Sequence, residues 1–369
     1  MPTTSRQRVL DAINHVQPDR VPIDFSGHRS SGINPETYRK LRHVLGLPER
    51  PIKVYDMVQQ LAVLDEDVLE RFGVDTIELG RGFCLNDDDW KPWTLTDGSE
   101  CLIPAYIDVR REGENWVLYA GDPPRPVGIQ KPGMQFFDQT YWPYLDGPPA
   151  DFSHLAEDIG SIMWAVPTPP NLAEIEKDAL IEGAKKLRAS TDRAIIGLFG
   201  GNMFEIPQFL FRIDNFLMLM ASEPKTVHRL LDALVEVHLR NLENFLGAVG
   251  PYIDIILFGD DLGMQSGPQI SPKAYREFLK PRHATLWKRA KELADVKVML
   301  HSCGGLRPLL DDLIDAGLDT TNPIQTSCKG MEPADLKRDF GDRLCLWGGG
   351  CDTQTVLPKA SPEDVRRHV

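Results

Sequence analysis

One stretch of the chain decides the fold: residues 296–305 read Val-Lys-Val-Met-Leu-His-Ser-Cys-Gly-Gly. A short, largely apolar run that ends in polar residues and glycines is typical of a buried strand in a parallel sheet. In α/β barrels, the loops after the carboxyl ends of the strands carry the functional residues. We therefore predict a strand over Val296–Leu300 and a functional site at His301-Ser302-Cys303.

Similar runs occur on both sides of this strand, separated by segments with helical periodicity. One helix is predicted to begin at Pro224, after the capping residue Ser222, and to end before Gly250. Strands that alternate with helices predict parallel βα units. The predicted strands are Val21–Phe25, Thr76–Leu79, Ala194–Gly200, Ile253–Phe258, Val296–Leu300, Leu318–Asn322 and Leu344–Trp347.

These units predict an α/β fold, a (β/α)8 barrel of the TIM type that forms a single domain over residues 1–369. The strand count is one short of a closed barrel, so either one strand is not recognised in the sequence or the last strand is missing from this chain. A β-rich insertion is predicted between strands two and three, over residues 85 to about 150. Its hairpin is expected from Ile103–Val109 and Trp116–Ala120. The insertion is interpreted either as a lid or as a packing appendage.

The composition excludes several classes of protein. A formal net charge of −13 argues against nucleic acid or an anionic membrane as a partner, because either requires a basic face. The amino terminus lacks the apolar core of a signal peptide, and no apolar run approaches the length of a membrane span. The six cysteines are scattered, as expected of free thiols or metal ligands in a reducing compartment. We predict a soluble, cytoplasmic protein.

The residues His301 and Cys303 suggest a metal site. A strand directs residues i and i+2 to the same side, so the imidazole and the thiol can converge on one point. Zinc accepts nitrogen and thiolate ligands in this way, although a buried cysteine can also be a small apolar residue. A third protein ligand is then needed, and Cys351 is the best candidate because it follows the strand-end glycines Gly348–Gly350. The alternative is that these glycines only turn the chain.

Carboxylates follow two other predicted strands. Asp260 and Asp261 are adjacent, so at most one of them is expected to face the barrel mouth, where it could bind metal or accept a proton. Glu205 lies in the equivalent place after the preceding strand. Each carboxylate could instead cap a helix, or form a hydrogen bond to a metal ligand and so orient it. Weaker polar candidates are Asp56, as a catalytic residue, and Asn322, Gln325 and Gln354, as cofactor-binding residues.

Motifs of other enzyme classes are missing from the sequence. It contains neither a phosphate-binding G-x-x-x-x-G-K-[ST] loop nor a G-x-S-x-G nucleophile elbow, and Gly348–Gly350 lacks the spacing of a dinucleotide fingerprint. Kinase, dehydrogenase and serine hydrolase functions are therefore disfavoured.

The chain resembles the uroporphyrinogen decarboxylase superfamily, which also contains corrinoid-dependent methyltransferases such as methylcobalamin:coenzyme M methyltransferase. The resemblance rests on residues Arg6 to Pro22, Asp260 to Gly263, His301 to Gly304 and Trp347 to Gln354. It is closer to the methyltransferase branch, whose zinc motif begins with H-x-C and whose third ligand is a cysteine near the last strand. The resemblance implies zinc held by His301 and Cys303, and cobalamin presented by a partner corrinoid protein.

The decarboxylase branch fits less well. Those enzymes hold substrate carboxylates with an arginine-rich run, whereas the equivalent stretch Phe25–Arg29 has one arginine. Asp56 matches their aspartate, but the region Gly200–Asn202 lacks their tyrosine. The leading hypothesis is zinc-assisted methyl transfer between a small methylated substrate or thiol and a corrinoid. A tetrapyrrole decarboxylase is the alternative, and a non-catalytic barrel that binds a corrinoid or a partner is the third.

Overall fold

The computed structural model describes residues 3–82, 87–162 and 174–369. Cys84 and the first residues of the predicted insertion lie outside the described residues. The strands are β1 Val54–Asp56, β2 Leu61–Ala62, β3 Thr76–Glu78, β4 Trp90–Thr94, β5 Glu100–Pro104, β6 Asp108–Glu112, β7 Asn115–Ala120, β8 Arg125–Gln130, β9 Asp138–Gln139, β10 Ala194–Gly200, β11 Ile255–Gly259, β12 Gly263–Met264, β13 Gly267–Pro268, β14 Lys297–His301, β15 Thr320–Asn322 and β16 Cys345–Leu346.

The helices lie around the strands that form the central sheet. They are α1 Ser5–Ile13, α2 Pro35–Val44, α3 Glu66–Phe72, α4 Leu155–Gly160, α5 Glu174–Ser190, α6 Glu205–Phe211, α7 Ile213–Ser222, α8 Pro224–Val249, α9 Pro272–Ala274, α10 Lys280–Leu293, α11 Leu310–Asp315, α12 Pro333–Phe340, α13 Val356–Lys359 and α14 Pro362–His368. A π-helical turn, Tyr275–Leu279, joins α9 to α10. Helix α8 has the bounds that its apolar stripe predicts.

The central sheet has the strand order β16-β15-β14-β11-β10-β3, and every described pair in it is parallel. With its flanking helices it forms an incomplete TIM barrel, as predicted. Gly259 of β11 pairs with His301 of β14, which in turn pairs with Asn322 of β15. This register brings the carboxyl ends of three neighbouring strands to one level, where the candidate site lies.

The inner face of the sheet is covered by the first helix. Val9 and Ile13 of α1 form one buried cluster with strand residues of β10, β11 and β14. Burying apolar surface in this way stabilises the half-barrel at roughly 25 cal/mol per Å². Within the described part of the chain, no helix combines the length and the apolarity needed to cross a bilayer.

The predicted first strand is wrong, because Val21–Phe25 does not pair with the sheet as a strand. Pro22 has no amide hydrogen to donate, and the amide of Ile23 donates to the side chain of Asp75 at 2.8 Å. The amide of Asp75 returns one hydrogen bond to the carbonyl of Ile23. One backbone hydrogen bond beside β3 is not the repeated pairing of two strands, so the described central sheet lacks this strand.

The insertion has more strands than the predicted hairpin. Strands β4 and β5 form one antiparallel pair, and β6 to β9 form a four-stranded antiparallel sheet. The predicted strand Ile103–Val109 is wrong in its bounds, because the chain turns after Pro104, where the amide of Ile107 donates to its carbonyl. Ile103 therefore belongs to β5, and the hairpin partner of β7 is β6.

One buried carboxylate connects the two edges of the incomplete barrel. Asp24 accepts hydrogen bonds from Thr76 Oγ1 on β3 at 2.8 Å and from Trp347 Nε1, just after β16, at 2.9 Å. The close approach requires Gly27, since a Cβ there would lie 2.2 Å from Thr76 Oγ1. Burial acts to raise the pKa of Asp24, but the charge of His28 and the donated hydrogen bonds outweigh it and lower the pKa to about 2.

We expect the D24N variant to be less stable than the parent by roughly 2 kcal/mol at pH 7, from the lowered pKa of Asp24. Because the folded-state pKa lies below the ordinary value of 3.8, this stabilisation is present above pH 4 and is lost as the pH falls towards 2. Urea unfolding between pH 7 and pH 3 measures it. If the difference in the free energy of unfolding between D24N and the parent stays constant or widens as the pH falls, the ionised Asp24 is not the source of this stabilisation.

Candidate metal centre

Three potential metal ligands meet at the carboxyl end of the sheet. His301 ends β14, Cys303 follows two residues later, and Asp261 follows β11. His301 Nε2 lies 3.6 Å from Cys303 Sγ and 3.6 Å from Asp261 Oδ1, and all three donor atoms lie within 4.8 Å of one another. The strand geometry predicted the convergence of His301 and Cys303, and a metal-binding role was one of those considered for whichever of Asp260 and Asp261 faces the barrel mouth.

Cys351, the third ligand predicted from the sequence, lies outside this group of donor atoms. Its Sγ contacts the carbonyl of Asp352 at 3.8 Å, and it lines a different, larger cavity of about 1130 Å³. Gly348 and Gly349 have φ angles of +103° and +81° and pass over Ile324. This left-handed turn, which glycine adopts readily, carries the chain away from His301 and Cys303.

The adjacent aspartates have separate environments, as the sequence predicts. Asp260 has no exposed surface, and its carboxylate accepts hydrogen bonds from the amides of Met203, Phe204 and Glu205 at 2.7–3.0 Å. Its Oδ2 also accepts one from His283 Nε2 at 2.8 Å. These partners fix the first turn of α6 and engage both oxygens of Asp260, which supports a structural role. The catalytic role suggested by the sequence stays a prediction.

Asp261 faces the site. Its side chain is 36% exposed, and its Oδ1 accepts a hydrogen bond from the amide of Cys303 at 2.7 Å. Its backbone carbonyl accepts another from Gln269 Nε2 at 2.7 Å. The carboxylate is thus fixed beside the thiol by the chain segment that carries the thiol.

The imidazole of His301 is oriented by its second nitrogen. Nδ1 donates to Asn322 Oδ1 at 3.0 Å, which leaves the Nε2 lone pair on the side of Asp261 and Cys303. Burial lowers the pKa of His301 and so favours the neutral ring that metals bind. Asn322 was predicted to bind a cofactor; it contacts His301 and also lines the larger cavity, so that role stays a prediction. Ser30, whose Oγ lies 3.3 Å from Nε2, belongs to the one-turn 3₁₀ helix Arg29–Ser31 and was not predicted from the sequence.

We expect the N322L variant to bind zinc 10- to 100-fold more weakly than the parent, because the imidazole loses the acceptor that sets its tautomer. Competition titration against a zinc chelator measures the change. The N322D variant retains an acceptor oxygen and serves as the matched control, with affinity within a few-fold of the parent. Equal affinity in all three proteins would show that Asn322 does not orient His301.

Two more carboxylates flank the group. Burial, reinforced by the charges of Asp261 and Asp260, raises the pKa of Glu205 to about 8, and Asn202 Nδ2 donates to it at 2.7 Å. Asp56 is buried and lies 3.1 Å from Arg29 Nε. It was predicted to be catalytic, and that role stays a prediction. Its partner Arg29 lines the smaller cavity described below.

The remaining predicted polar residues lie on the side of the larger cavity. Gln325 Oε1 accepts a hydrogen bond from the amide of Gly304 at 2.9 Å and so supports the turn after Cys303. Gln354 contacts Gln265. Both residues line the larger cavity, as does Cys303.

A smaller cavity, of about 590 Å³, also reaches His301, Cys303 and Asp261. Ser30 and Cys303 line both cavities, whereas His301, Asp261 and Glu205 line the smaller one alone. The insertion contributes the segment 136–139 to its wall. Burial, with the nearby charge of Asp261, raises the pKa of the Cys303 thiol to about 12. A metal ion at this thiol would displace its proton, because coordinated thiols are deprotonated.

Comparisons with known proteins bear on the fold. The sequence profile of the family described as Uroporphyrinogen decarboxylase (URO-D) matches residues 140–369. No curated protein matches the chain. Among solved structures, a methyltransferase from Methanosarcina mazei is similar with a TM-score of 0.49 and 18% sequence identity, over 98% of this chain and 96% of that one.

Proposed function

The chain belongs to the uroporphyrinogen decarboxylase family, and from this premise we propose that it is a zinc-assisted methyltransferase. It would move a methyl group between a small methylated substrate or thiol and a corrinoid carrier. The observation that carries the proposal is the group of His301, Cys303 and Asp261 at the meeting point of two cavities.

The donor set suits zinc. One imidazole nitrogen, one sulfur and one carboxylate oxygen are ligands that zinc accepts, and catalytic zinc has three protein ligands and one open position. Donor atoms within 4.8 Å of one another can close on a single ion. Zinc bound there would supply Lewis acidity to a sulfur or oxygen atom of the substrate.

The chain's own residues would prepare the site for this chemistry. Asn322 sets the tautomer of His301, and the amide of Cys303 fixes Asp261. Burial and the charges of Asp261 and Asp260 raise the pKa of Glu205 and so favour its protonated form, which can donate a hydrogen bond within the smaller cavity. The proposed corrinoid would be presented by a partner protein, and the larger cavity beside Cys303 is the side on which we expect it.

The decarboxylase alternative has less support. Uroporphyrinogen carries many carboxylates, and Arg29 is the single arginine or lysine among the residues that line the smaller cavity. The charge of Arg29 is already met by Asp56. A non-catalytic barrel, the third hypothesis, offers no reason for the supported arrangement of His301, Cys303 and Asp261.

The proposed function is tested with zinc-loaded protein, cob(I)alamin and a panel of methyl donors comprising methanol, dimethyl sulfide, trimethylamine and methoxybenzene. Methylcobalamin formation is followed by its absorbance. We expect zinc-dependent methylation from at least one donor, lost in the H301A variant. Release of carbon dioxide from uroporphyrinogen without zinc, and no methylation from any donor, would instead support the decarboxylase.

A further inference from the structure

Two chain segments carry the three candidate metal ligands and run side by side. The segment 260–264, which follows β11, holds Asp261, and the segment 301–305, at the end of β14, holds His301 and Cys303. We call them the β11 segment and the β14 segment. Because β11 and β14 are parallel neighbours in the central sheet, the contacts between the two segments decide how far Asp261 lies from the other two ligands.

Hydrogen bonds between the backbones continue beyond the strands and join the two segments at both ends. At one end, the amide of Asp260 donates to the carbonyl of His301 at 2.9 Å. At the other end, the amide of Gly305 donates to the carbonyl of Met264 at 2.9 Å. The candidate ligands lie at or between these two bonds, in the part of the chain where the backbones are paired.

Ser302, which stands between the imidazole and the thiol ligand in the sequence, joins the two segments with its side chain. Its Oγ accepts a hydrogen bond from the amide of Leu262 at 2.9 Å, and its own amide donates to the carbonyl of Asn322 at 2.8 Å. Ser302 and Leu262 are both fully buried, so an amide that loses this acceptor does not recover one from water. Since Leu262 follows Asp261 directly, the hydroxyl of Ser302 fixes the backbone beside the carboxylate ligand.

The two backbones cross in direct contact at a pair of glycines. A Cβ atom on Gly263 would lie 2.5 Å from the carbonyl oxygen of Cys303, and a Cβ atom on Gly304 would lie 2.2 Å from the carbonyl carbon of Gly263. A side chain at either position therefore forces the segments apart. Gly304 also has a φ angle of +90°, which glycine adopts readily, whereas Gly263 has no positive φ. Replacement of Gly263 thus tests the crossing without backbone strain.

The separation of the ligand atoms is the one that a tetrahedral ion requires. Zinc bonds of about 2.0 Å to nitrogen and about 2.3 Å to sulfur, at the tetrahedral angle, place these two atoms roughly 3.5 Å apart. His301 Nε2 lies 3.6 Å from Cys303 Sγ and 3.6 Å from Asp261 Oδ1. Little movement of the ligands is therefore needed for them to close on one ion.

We propose that Ser302, Gly263 and Gly304 are positioning residues of the metal centre, which hold the β11 and β14 segments at the separation that a tetrahedral ion requires. The proposal rests on the zinc site of the proposed function and adds the residues that arrange its ligands in advance. Loss of the hydroxyl at Ser302, or a methyl group added at Gly263, shifts Asp261 relative to Cys303. Metal binding then weakens although every ligand remains in the chain.

The zinc affinities of the S302A and G263A variants test the proposal. Competition titration against a chelator should show about tenfold weaker binding in S302A and about a hundredfold weaker binding in G263A, the range typical of residues that orient metal ligands. The matched control is G350A. Gly350 lines the larger cavity as Gly263 does and has no positive φ, but a Cβ atom there meets nothing within 4 Å. We expect G350A to bind zinc within twofold of the parent.

Cobalt(II) gives a readout that a loss of stability alone does not change. Tetrahedral cobalt(II) absorbs strongly in the visible region, and the absorption weakens when the geometry departs from a tetrahedron. We expect the tetrahedral spectrum in the cobalt-loaded parent and in G350A, and weaker visible absorption in G263A. Circular dichroism establishes that each variant is folded under the conditions of the titration. Should G263A not fold, the affinity and the spectrum of S302A decide the proposal.

The outcomes separate this proposal from the proposed function. Zinc affinities and cobalt spectra equal to those of the parent in S302A and G263A would overturn the positioning role, even where both variants are less stable, and would leave the metal centre standing. A parent protein that binds no zinc would overturn the metal centre, the positioning role and the proposed function together. Weaker zinc binding in both variants, without methylation from any donor by the parent, would support the positioning role and overturn the methyltransferase function alone.

Discussion

Replacing His301 by alanine is expected to abolish zinc binding and to lower the rate of methyl transfer about a thousandfold, since a bound metal supplies several kcal/mol of transition-state stabilisation. The orientation of the His301 imidazole is set by the hydrogen bond from its Nδ1 to Asn322 Oδ1 at 3.0 Å. The C303S variant should have a similar effect, because it removes the thiolate from the same group. Zinc content and the rate of methylcobalamin formation measure the two consequences.

The matched control for this prediction is C351S. Both cysteines follow strands of the same sheet, but the structure places only Cys303 within the group of donor atoms. We therefore expect C351S to bind zinc as the parent does. Loss of zinc in C351S, with its retention in C303S, would restore the ligand predicted from the sequence and refute the group described above.

Replacing Asp260 by alanine is expected to destabilise the protein by about 3–5 kcal/mol, the cost of removing one member of a buried hydrogen-bonded pair. Three amides of the α6 turn and His283 would lose their acceptor at once. The ring of His283, stacked on Trp287 with centroids 4.8 Å apart, has no room to turn towards water. Urea unfolding monitored by circular dichroism gives the free energy of unfolding.

The D261N variant, which changes the neighbouring aspartate, is expected to lose zinc affinity and to keep its stability. Asp261 is 36% exposed, so its replacement should change the free energy of unfolding by less than about 1 kcal/mol while zinc affinity falls. Equal destabilisation by D260A and D261N would contradict the division of these two aspartates into a structural and a ligating residue.

Much of the fold follows from local patterns. The alternation of apolar runs with capped amphipathic helices predicted α8 and the parallel central strands, because buried parallel strands are apolar on both faces. The segment Val21–Phe25 has the same apolar character, but a strand forms only where backbone amides and carbonyls are free to pair with a neighbouring strand. Pro22 has no amide hydrogen, and the amide of Ile23 donates to the side chain of Asp75 instead. Neither effect is visible in a hydrophobic pattern.

The candidate site, too, could be predicted only in part from the sequence. Strand alternation predicts that His301 and Cys303 share a side, and adjacency predicts that at most one of Asp260 and Asp261 faces the barrel mouth. Which aspartate that is depends on the amides of α6, and the rejection of Cys351 depends on backbone angles at Gly348 and Gly349. Ser30 reaches His301 across 271 residues of sequence, a contact that only the folded chain creates.

The zinc content of the purified protein and of its C303S and C351S variants tests the central claim most directly. After removal of metal, incubation with zinc and extensive dialysis, the parent and C351S are predicted to retain about one zinc ion per chain, and C303S none. Absence of zinc from the parent, or equal zinc in all three proteins, would contradict the assignment of a metal centre to His301, Cys303 and Asp261.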